Sequence, residues 1–149
     1  MICPRYMIIA VVLAGCAILL AHSAWAEIGQ IKNVSGQVFL LRNNVQRPAK
    51  AGDLVEQADV LTTGSDGSIG ITFIDNSRFS AGPNSRIELT QFRFNPTTQE
   101  GEFTTDVKHG TLAIVSGQMA KRSPEAMKVV TPTTILGVRG TTFAVKVDE

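Results

Sequence analysis

Apolar and polar residues alternate along much of the chain, which is the pattern of half-buried β-strands. Between residues 68 and 73 every second residue is Ile or Phe, and the residues between them are Ser, Gly and Thr. Residues 38–41 are apolar at every position, which is typical of a central or doubly covered strand. The alternation recurs at residues 86–89, 102–107, 112–114 and 143–147. Helical periodicity is scarce, so the chain is predicted to be all-β.

Turn-forming residues separate these segments at close intervals. Gly, Asp, Asn and Pro cluster at residues 52–53, 64–67, 75–77, 82–84 and 95–96. Short strands between such turns are typical of an all-β domain, either stacked as a β-solenoid or folded back as a two-sheet sandwich. The spacing from Gly67 to Asn76 is 9 residues and from Asn76 to Asn84 is 8, which favours solenoid-like stacking.

The apolar face changes side within one predicted strand. The apolar residues of segment 86–89 are odd-numbered, whereas those of segment 92–94 are even-numbered. We therefore expect a β-bulge or corner near Thr90 and Gln91.

Two longer loops are predicted. Residues 95–101 begin with Asn-Pro and indicate a hairpin loop. Residues 116–127 are expected to be mostly irregular, with one turn of helix starting at Pro124 because proline is tolerated at the first position of a helix.

Residues 1–26 have the features of a secretory signal peptide. Residues 7–20 are all apolar or small, and these 14 residues are too few to cross a bilayer, which takes about 20. Ala24 and Ala26 supply the small residues that signal peptidase requires, so we expect cleavage before Glu27. A competing lipobox ends at Cys16, where lipidation would start the mature chain. The apolar residues that follow Cys16 favour the cut at Glu27.

Cleavage there would leave one domain of 123 residues, 27–149. It would hold 13 basic and 13 acidic residues, so it lacks the positive excess that indicates binding to nucleic acid. We expect no nucleic-acid partner and no stable membrane span after cleavage. The expected location is the periplasm of a Gram-negative-type envelope or the exterior, with a lipoprotein anchored at Cys16 as the alternative.

The same cut would leave His109 as the sole histidine and no cysteine. Thiol catalysis, disulfides and Cys/His zinc sites are then excluded, and no serine lies in a Gly-x-Ser-x-Gly motif. His109 precedes a glycine and is assigned to a turn. We therefore predict that the protein is not an enzyme and has no catalytic residues, cofactor-binding residues or metal ligands.

Three aspartates near glycines raise the question of calcium binding, because oxygen-rich turns bind this ion. They are Asp59, Asp66 and Asp75. Their spacing matches neither an EF-hand nor the calcium-binding nonapeptide repeat. Capping of turns is the favoured interpretation.

Several short motifs follow one another from about Gly36 to Val147, and together they resemble the FecR-domain family of periplasmic proteins. The most specific motif closes the chain as Thr-Pro…Gly-Val-Arg-Gly-Thr-x-Phe. Its residues are Thr131, Pro132, Gly137, Val138, Arg139, Gly140, Thr141 and Phe143. The resemblance implies a compact periplasmic domain that binds another envelope protein.

The best-known members of that family sense iron supply across the bacterial envelope and control a sigma factor through a cytoplasmic segment. Six residues ahead of the apolar stretch are too few for such a segment, so the resemblance implies the fold and compartment more than the iron-signalling role. We expect an exported, non-enzymatic module that binds an unidentified envelope protein, through an exposed edge strand. An envelope carbohydrate-binding or surface-structural module is the alternative. The oligomeric state is left open.

Arg139 lies between Gly137 and Gly140 at a predicted β-corner. Its guanidinium either clamps the corner, by binding carbonyls or an acid such as Asp75, or contacts the partner protein. We favour the clamp. The two glycines are expected because a Cβ would clash there or because φ is positive.

Overall fold

A computed structural model describes residues 26–139 and 142–148. Within them the chain forms twelve strands and one short helix, which confirms the all-β class. The elements are β1 (Glu27–Ser35), β2 (Val38–Arg42), β3 (Val45–Pro48), β4 (Leu54–Glu56), β5 (Val60–Thr63), β6 (Ser68–Phe73), β7 (Arg78–Ala81), β8 (Arg86–Phe94), β9 (Gly101–Val115), α1 (Gln118–Arg122), β10 (Met127–Val130), β11 (Ile135–Gly137) and β12 (Thr142–Val147). Most of the predicted signal peptide lies outside the described residues.

The strands form one curled sheet, and ten of the eleven pairings described are antiparallel. Half-sheet I consists of β4, β1, β6, β7, the second part of β9 and β12; half-sheet II consists of β3, β2, β5, β8, the first part of β9, β10 and β11. The prediction of solenoid-like stacking is wrong, because solenoid rungs stack in parallel, whereas the pairing of β10 with β9 is the one parallel pairing among those described. The two halves face each other, as in a sandwich, but remain one continuous sheet.

Strand β9 joins the two halves. Up to His109 it pairs with β8 and β10, and from Gly110 onward it pairs with β7 and β12. Gly110 has a φ of +96°, which favours glycine. The buried residues of β9 are odd-numbered before Gly110 and even-numbered after it. Segments 102–107 and 112–114, separate in the sequence pattern, are therefore one strand that changes face at this glycine.

The core lies between the half-sheets and contains four phenylalanines in mutual contact. Phe73 and Phe79 come from half-sheet I, and Phe92 and Phe103 come from half-sheet II. The ring centroids of Phe79 and Phe103 are 4.9 Å apart and those of Phe92 and Phe103 are 4.8 Å apart. Burial of the alternating apolar residues along β6, β8 and β9 confirms the alternation seen in the sequence. It also explains why the sheet curls, since both halves cover the same side chains.

The predicted bulge in β8 is confirmed. The pairing of β8 with β9 shifts register between Glu88 and Gln91, and Phe92 is buried on the same side as Leu89. The predicted hairpin loop after Phe94 is also confirmed, because it connects β8 to β9 and is closed by a hydrogen bond from Asn95 N to Glu100 O of 2.8 Å.

Strand β2 is central in its half-sheet, because it pairs with both β3 and β5. Val38 and Leu40 are buried, whereas Phe39 and Leu41 are only half-buried. The strand is therefore central but covered fully on one face only.

The helix does not begin where it was predicted. Helix α1 ends at Arg122, ahead of Pro124, and the intervening Ser123 is extended. A residue before proline is disfavoured in helical conformation, so the proline follows the helix instead of starting it. Buried Met119 and Ala120 hold α1 against the core. Within the described ranges, no helix is long and apolar enough to cross a membrane.

Candidate functional site

The expected cleavage site lies at the start of the described chain. Ala24 is outside the described residues, Ala26 is exposed, and Glu27 is the exposed first residue of β1. A chain that begins at Glu27 would therefore keep the whole of β1.

The first of the three aspartates, Asp59, is a structural anchor. Arg42 on β2 donates to both of its carboxylate oxygens, with Nε to Oδ1 at 2.7 Å and Nη2 to Oδ2 at 2.6 Å. Arg42 also donates from Nη1 to Glu56 Oε1 at 2.6 Å, and Asp59 Oδ2 accepts from the Glu56 backbone N–H at 2.8 Å. The hydrogen bond to the fully buried Asp59 is the main reason that the pKa of Arg42 is raised. This bidentate pair ties β2 to the turn between β4 and β5.

The other two aspartates also cap turns. Asp66 Oδ1 accepts from the Gln37 backbone N–H at 3.2 Å, and Asp75 accepts from Ser77 N at 3.0 Å and from Ser77 Oγ at 2.7 Å. The capping interpretation is therefore confirmed for all three. In the part of the chain that the structure describes, no group of three or more His, Cys, Asp or Glu residues is placed to hold a metal ion.

Ser85 holds the corner where β7 continues into β8, opposite the face change in β9. Its buried hydroxyl accepts from Thr111 N at 2.9 Å and donates to Gly82 O at 2.9 Å. Thr63 Oγ1 donates to the same carbonyl at 2.6 Å and accepts from Ser85 N at 2.9 Å. These bonds satisfy backbone groups that the corner would otherwise leave without partners.

His109 lies beside this corner. The structure places it in β9 next to Gly110, and its Nδ1 donates to the carbonyl oxygen of Asn84 at 2.7 Å. The hydrogen-bonded carbonyl gives the imidazole a role in holding the corner.

The first part of the closing motif forms a hairpin. Thr131 Oγ1 donates to Thr134 O at 3.0 Å and accepts from Thr134 N at 3.1 Å, which closes the turn between β10 and β11. Pro132 is exposed in that turn. Buried Val138 follows β11 and donates from its backbone to Met127 O at 3.0 Å.

The second part of the motif leads into β12. Phe143 is half-buried in that strand and packs against the core, whereas Gly140 and Thr141 lie outside the described residues. Gly137 has no atom within 4 Å of the position of a Cβ, and its φ is not left-handed. The expectation that a clash or a positive φ requires glycine is therefore wrong at Gly137.

Arg139 is exposed, and no hydrogen bond or ion pair joins its side chain to another described residue. Both carboxylate oxygens of Asp75 are occupied by Ser77. The clamp between Arg139 and Asp75 is therefore wrong. An exposed guanidinium is available for the other role, contact with a partner.

The sheet has four edge strands among the described residues, namely β3, β4, β11 and β12. Strand β3 contains Pro48, which has no N–H to donate, and β4 and β11 have only three residues each. Strand β12 has six residues and, within the described ranges, pairs only with β9. The sequence pattern identified β12 as a strand but carried no signal of its edge position, because that depends on pairing with distant residues.

These observations define a small all-β domain whose buried polar side chains hold turns and corners. Residues 59–149 match the model of the family described as FecR protein. Because the match covers more than half of the chain, the protein belongs to the FecR family, which confirms the resemblance seen in the sequence. No curated protein and no solved structure matches it.

Proposed function

We propose that the protein is an exported, non-enzymatic module that binds another protein of the bacterial envelope and takes part in signalling there. Membership of the FecR family supports this, since FecR proteins are signalling components that interact with other proteins. The proposal includes cleavage before Glu27, residues 27–149 as the mature domain, and a periplasmic location. A more specific version of the proposal is that this signalling controls iron uptake, and its support is the membership of the FecR family.

The observation that carries the binding role is the free edge of β12. One side of this strand pairs with β9, and the other side offers backbone N–H and C=O groups to an incoming strand. The length of the strand and the absence of proline distinguish it from β3, β4 and β11. Addition of a partner strand to such an edge is a common mode of peptide recognition.

Arg139 adds a directional contact near this edge. It is exposed three positions before β12 begins, and its guanidinium presents several donors in one plane. Arg139 lines a depression with residues 123–125, and a partner strand that extends beyond the start of β12 is proposed to bring a carbonyl or carboxylate to it. We propose that the motif serves two purposes, with Thr131 and Val138 building the hairpin and Arg139 contacting the partner.

Site-specific photo-cross-linking in intact cells tests this proposal. A photoreactive residue is placed at Ala144, which is exposed on β12, and in a control chain at Gln46, which is exposed on β3. We expect one envelope protein to be cross-linked from Ala144 and to be absent from the Gln46 sample. Arg139→Ala should lower the yield from Ala144 at least tenfold while the thermal midpoint stays within about 2 °C, because an exposed side chain is removed.

Equal yields from both positions would contradict the assignment of β12 as the binding edge. Cross-linking to cell-wall polysaccharide in place of a protein would favour the carbohydrate-binding alternative. A drop in the thermal midpoint of Arg139→Ala by several degrees would instead assign a structural role to the arginine.

A further inference from the structure

A groove crosses the outer face of half-sheet I, on the side away from the core. It consists of two depressions of about 260 Å³ and 380 Å³. Lys32 and Thr72 line both of them, so the two depressions adjoin one another. We call this the outer groove; Leu54 and Ile74 line one end, and Arg78 and Ser80 line the other.

At the centre of this face β6 has no side chain, and the side-chain amide of Asn33 occupies the space. Gly70 faces outward between Asn33 on β1 and Ser80 on β7. A Cβ on Gly70 would overlap the side-chain amide of Asn33, so this position admits only glycine without rearrangement. The floor at this point is therefore the side-chain amide of the exposed Asn33, which lies over the buried Gly70 and offers a donor and an acceptor to a ligand.

One end of the groove is cationic and polar. Lys32 and Arg78 are exposed there, beside the hydroxyls of Thr72 and Ser80. Lys32 Nζ donates to Gln30 Oε1 at 2.5 Å, which leaves its charge uncompensated by an acid. The guanidinium of Arg78 has no hydrogen bond or ion pair with any described residue. Two cations with neutral hydrogen-bond donors around them fit a carboxylate.

The other end is apolar. Leu54 is 39% exposed and Ile74 is 52% exposed, which makes them two of the largest exposed apolar side chains in the described chain. Glu27 also lines this end, and the cut proposed before it would place a positive α-amino group beside its carboxylate, so the larger positive charge stays at the end that holds Arg78. The outer groove thus combines an apolar contact with a separate anion contact.

We propose that the outer groove binds an acidic peptide segment of the partner protein, with an apolar side chain against Leu54 and Ile74 and a carboxylate between Lys32 and Arg78. The inference rests on the proposed function, because it assumes a protein partner. A glycan is a poorer fit, since sugars bind on exposed aromatic faces and the phenylalanines beneath the groove, Phe73 and Phe79, are buried.

Titration by NMR of the isotope-labelled chain, purified from the envelope, tests this inference. The probe is an end-blocked hexapeptide that contains one leucine and two glutamates, and the matched peptide contains glutamines in place of the glutamates. We expect saturable shifts of the Gly70, Thr72 and Ser80 amides, with at least tenfold weaker binding of the glutamine peptide. Affinity for the acidic peptide should fall with added salt.

Variants locate the carboxylate contact. Arg78→Gln should weaken binding of the acidic peptide at least tenfold and leave the glutamine peptide unchanged. Lys121→Gln is the matched control, because Lys121 is an exposed cation on α1 outside the groove. It should leave both affinities unchanged.

Equal affinity of the two peptides, or full affinity of Arg78→Gln, would overturn the inference. Tighter binding of inorganic phosphate or of an oligouronate at the same amides would also overturn it, in favour of a free anion or an acidic glycan. If the peptide does not bind but a protein is still cross-linked from Ala144, the groove alone is rejected. If no protein is cross-linked from Ala144 in a chain that is otherwise unchanged, the proposed function is rejected.

Discussion

Thr105 is a buried side chain whose hydroxyl has no hydrogen-bond partner. It lies in β9 with its backbone paired to Val129 of β10, among buried apolar neighbours. By contrast, the hydroxyls of Thr63 and Ser85 each bond to backbone groups at the corner. We therefore expect the hydroxyls of Thr105 and Thr63, two buried threonines of the same curled sheet, to affect stability with opposite sign.

We predict that Thr105→Val stabilises the domain by about 1 kcal/mol, because it removes a desolvated hydroxyl and keeps the shape of the side chain. Thr63→Val should destabilise it by about 1–3 kcal/mol, because Ser85 N and Gly82 O lose a bond. Urea denaturation of both variants measures the difference. A destabilised Thr105→Val would show that this hydroxyl has a partner in solution.

The pair of Arg42 and Asp59 gives a second prediction at this scale. Arg42→Met leaves the fully buried Asp59 carboxylate without its cation, so we expect the free energy of unfolding to fall by about 2–4 kcal/mol. This range lies at or below the cost of breaking a fully buried pair, because the Arg42 side chain is 28% exposed. Arg47→Met removes the pair with Asp53, which lies nearer the surface, and should cost less than about 1 kcal/mol. If chemical denaturation shows that Arg42→Met and Arg47→Met lower the free energy of unfolding equally, the structural role of Arg42 is contradicted.

Single residues differ in how far the sequence alone predicts them. The capping role of Asp75 follows from short-range turn chemistry, because its partner Ser77 is two residues away, and it was predictable. Asp66 differs, because the residue whose backbone N–H it accepts from, Gln37, lies 29 residues away on another turn. The partner of Asp59 was not predictable either, because Arg42 lies 17 residues away and reaches it only through the pairing of β2 with β5. The clamp assigned to Arg139 failed for the same reason, since the distance between its segment and Asp75 is a tertiary property.

At the scale of elements, the face change in β9 depends on Gly110. A Cβ there would overlap Ser85, and the residue has a φ of +96°. Gly52 has a similar φ of +95° but open space around it, and Gly137 has neither feature. Substitution of these three glycines therefore distinguishes the cost of steric overlap from the cost of backbone strain.

We predict a graded series for alanine substitution. Gly110→Ala should cost about 2–4 kcal/mol from strain and overlap together, Gly52→Ala about 1 kcal/mol from strain alone, and Gly137→Ala within about 0.5 kcal/mol of zero. Thermal and urea unfolding of the three variants measure the order of their losses in stability. If Gly137→Ala costs as much as Gly110→Ala, the closing motif has a structural constraint that its geometry does not account for.

Strands were predictable where the signal is local. Alternation located β6 and β8, and the change of parity located the bulge before Phe92, because both depend on neighbouring residues. The pairing of β1 with β6 and of β12 with β9 joins segments far apart in the chain, and no local pattern specifies it. The eight-to-nine-residue rhythm fits antiparallel hairpins as well as solenoid rungs, so it did not decide the architecture.

At the scale of the whole molecule, the proposed function requires export. The proposed cut after Ala26 would remove no part of β1, which starts at Glu27. We predict that intact-mass spectrometry of the envelope fraction finds a chain starting at Glu27. A lipidated chain starting at Cys16 would change the proposed location to a membrane surface and the anchor to a lipid.

Binding at the free edge of β12 is the central claim, and hydrogen–deuterium exchange of the captured complex measures the backbone groups of that edge directly. If a partner strand adds there, amides within Thr142–Val147 should exchange at least tenfold more slowly in the complex, while those of β3 (Val45–Pro48) keep their rates. Unchanged exchange in β12, with protection confined to another edge or to no edge, would contradict the claim.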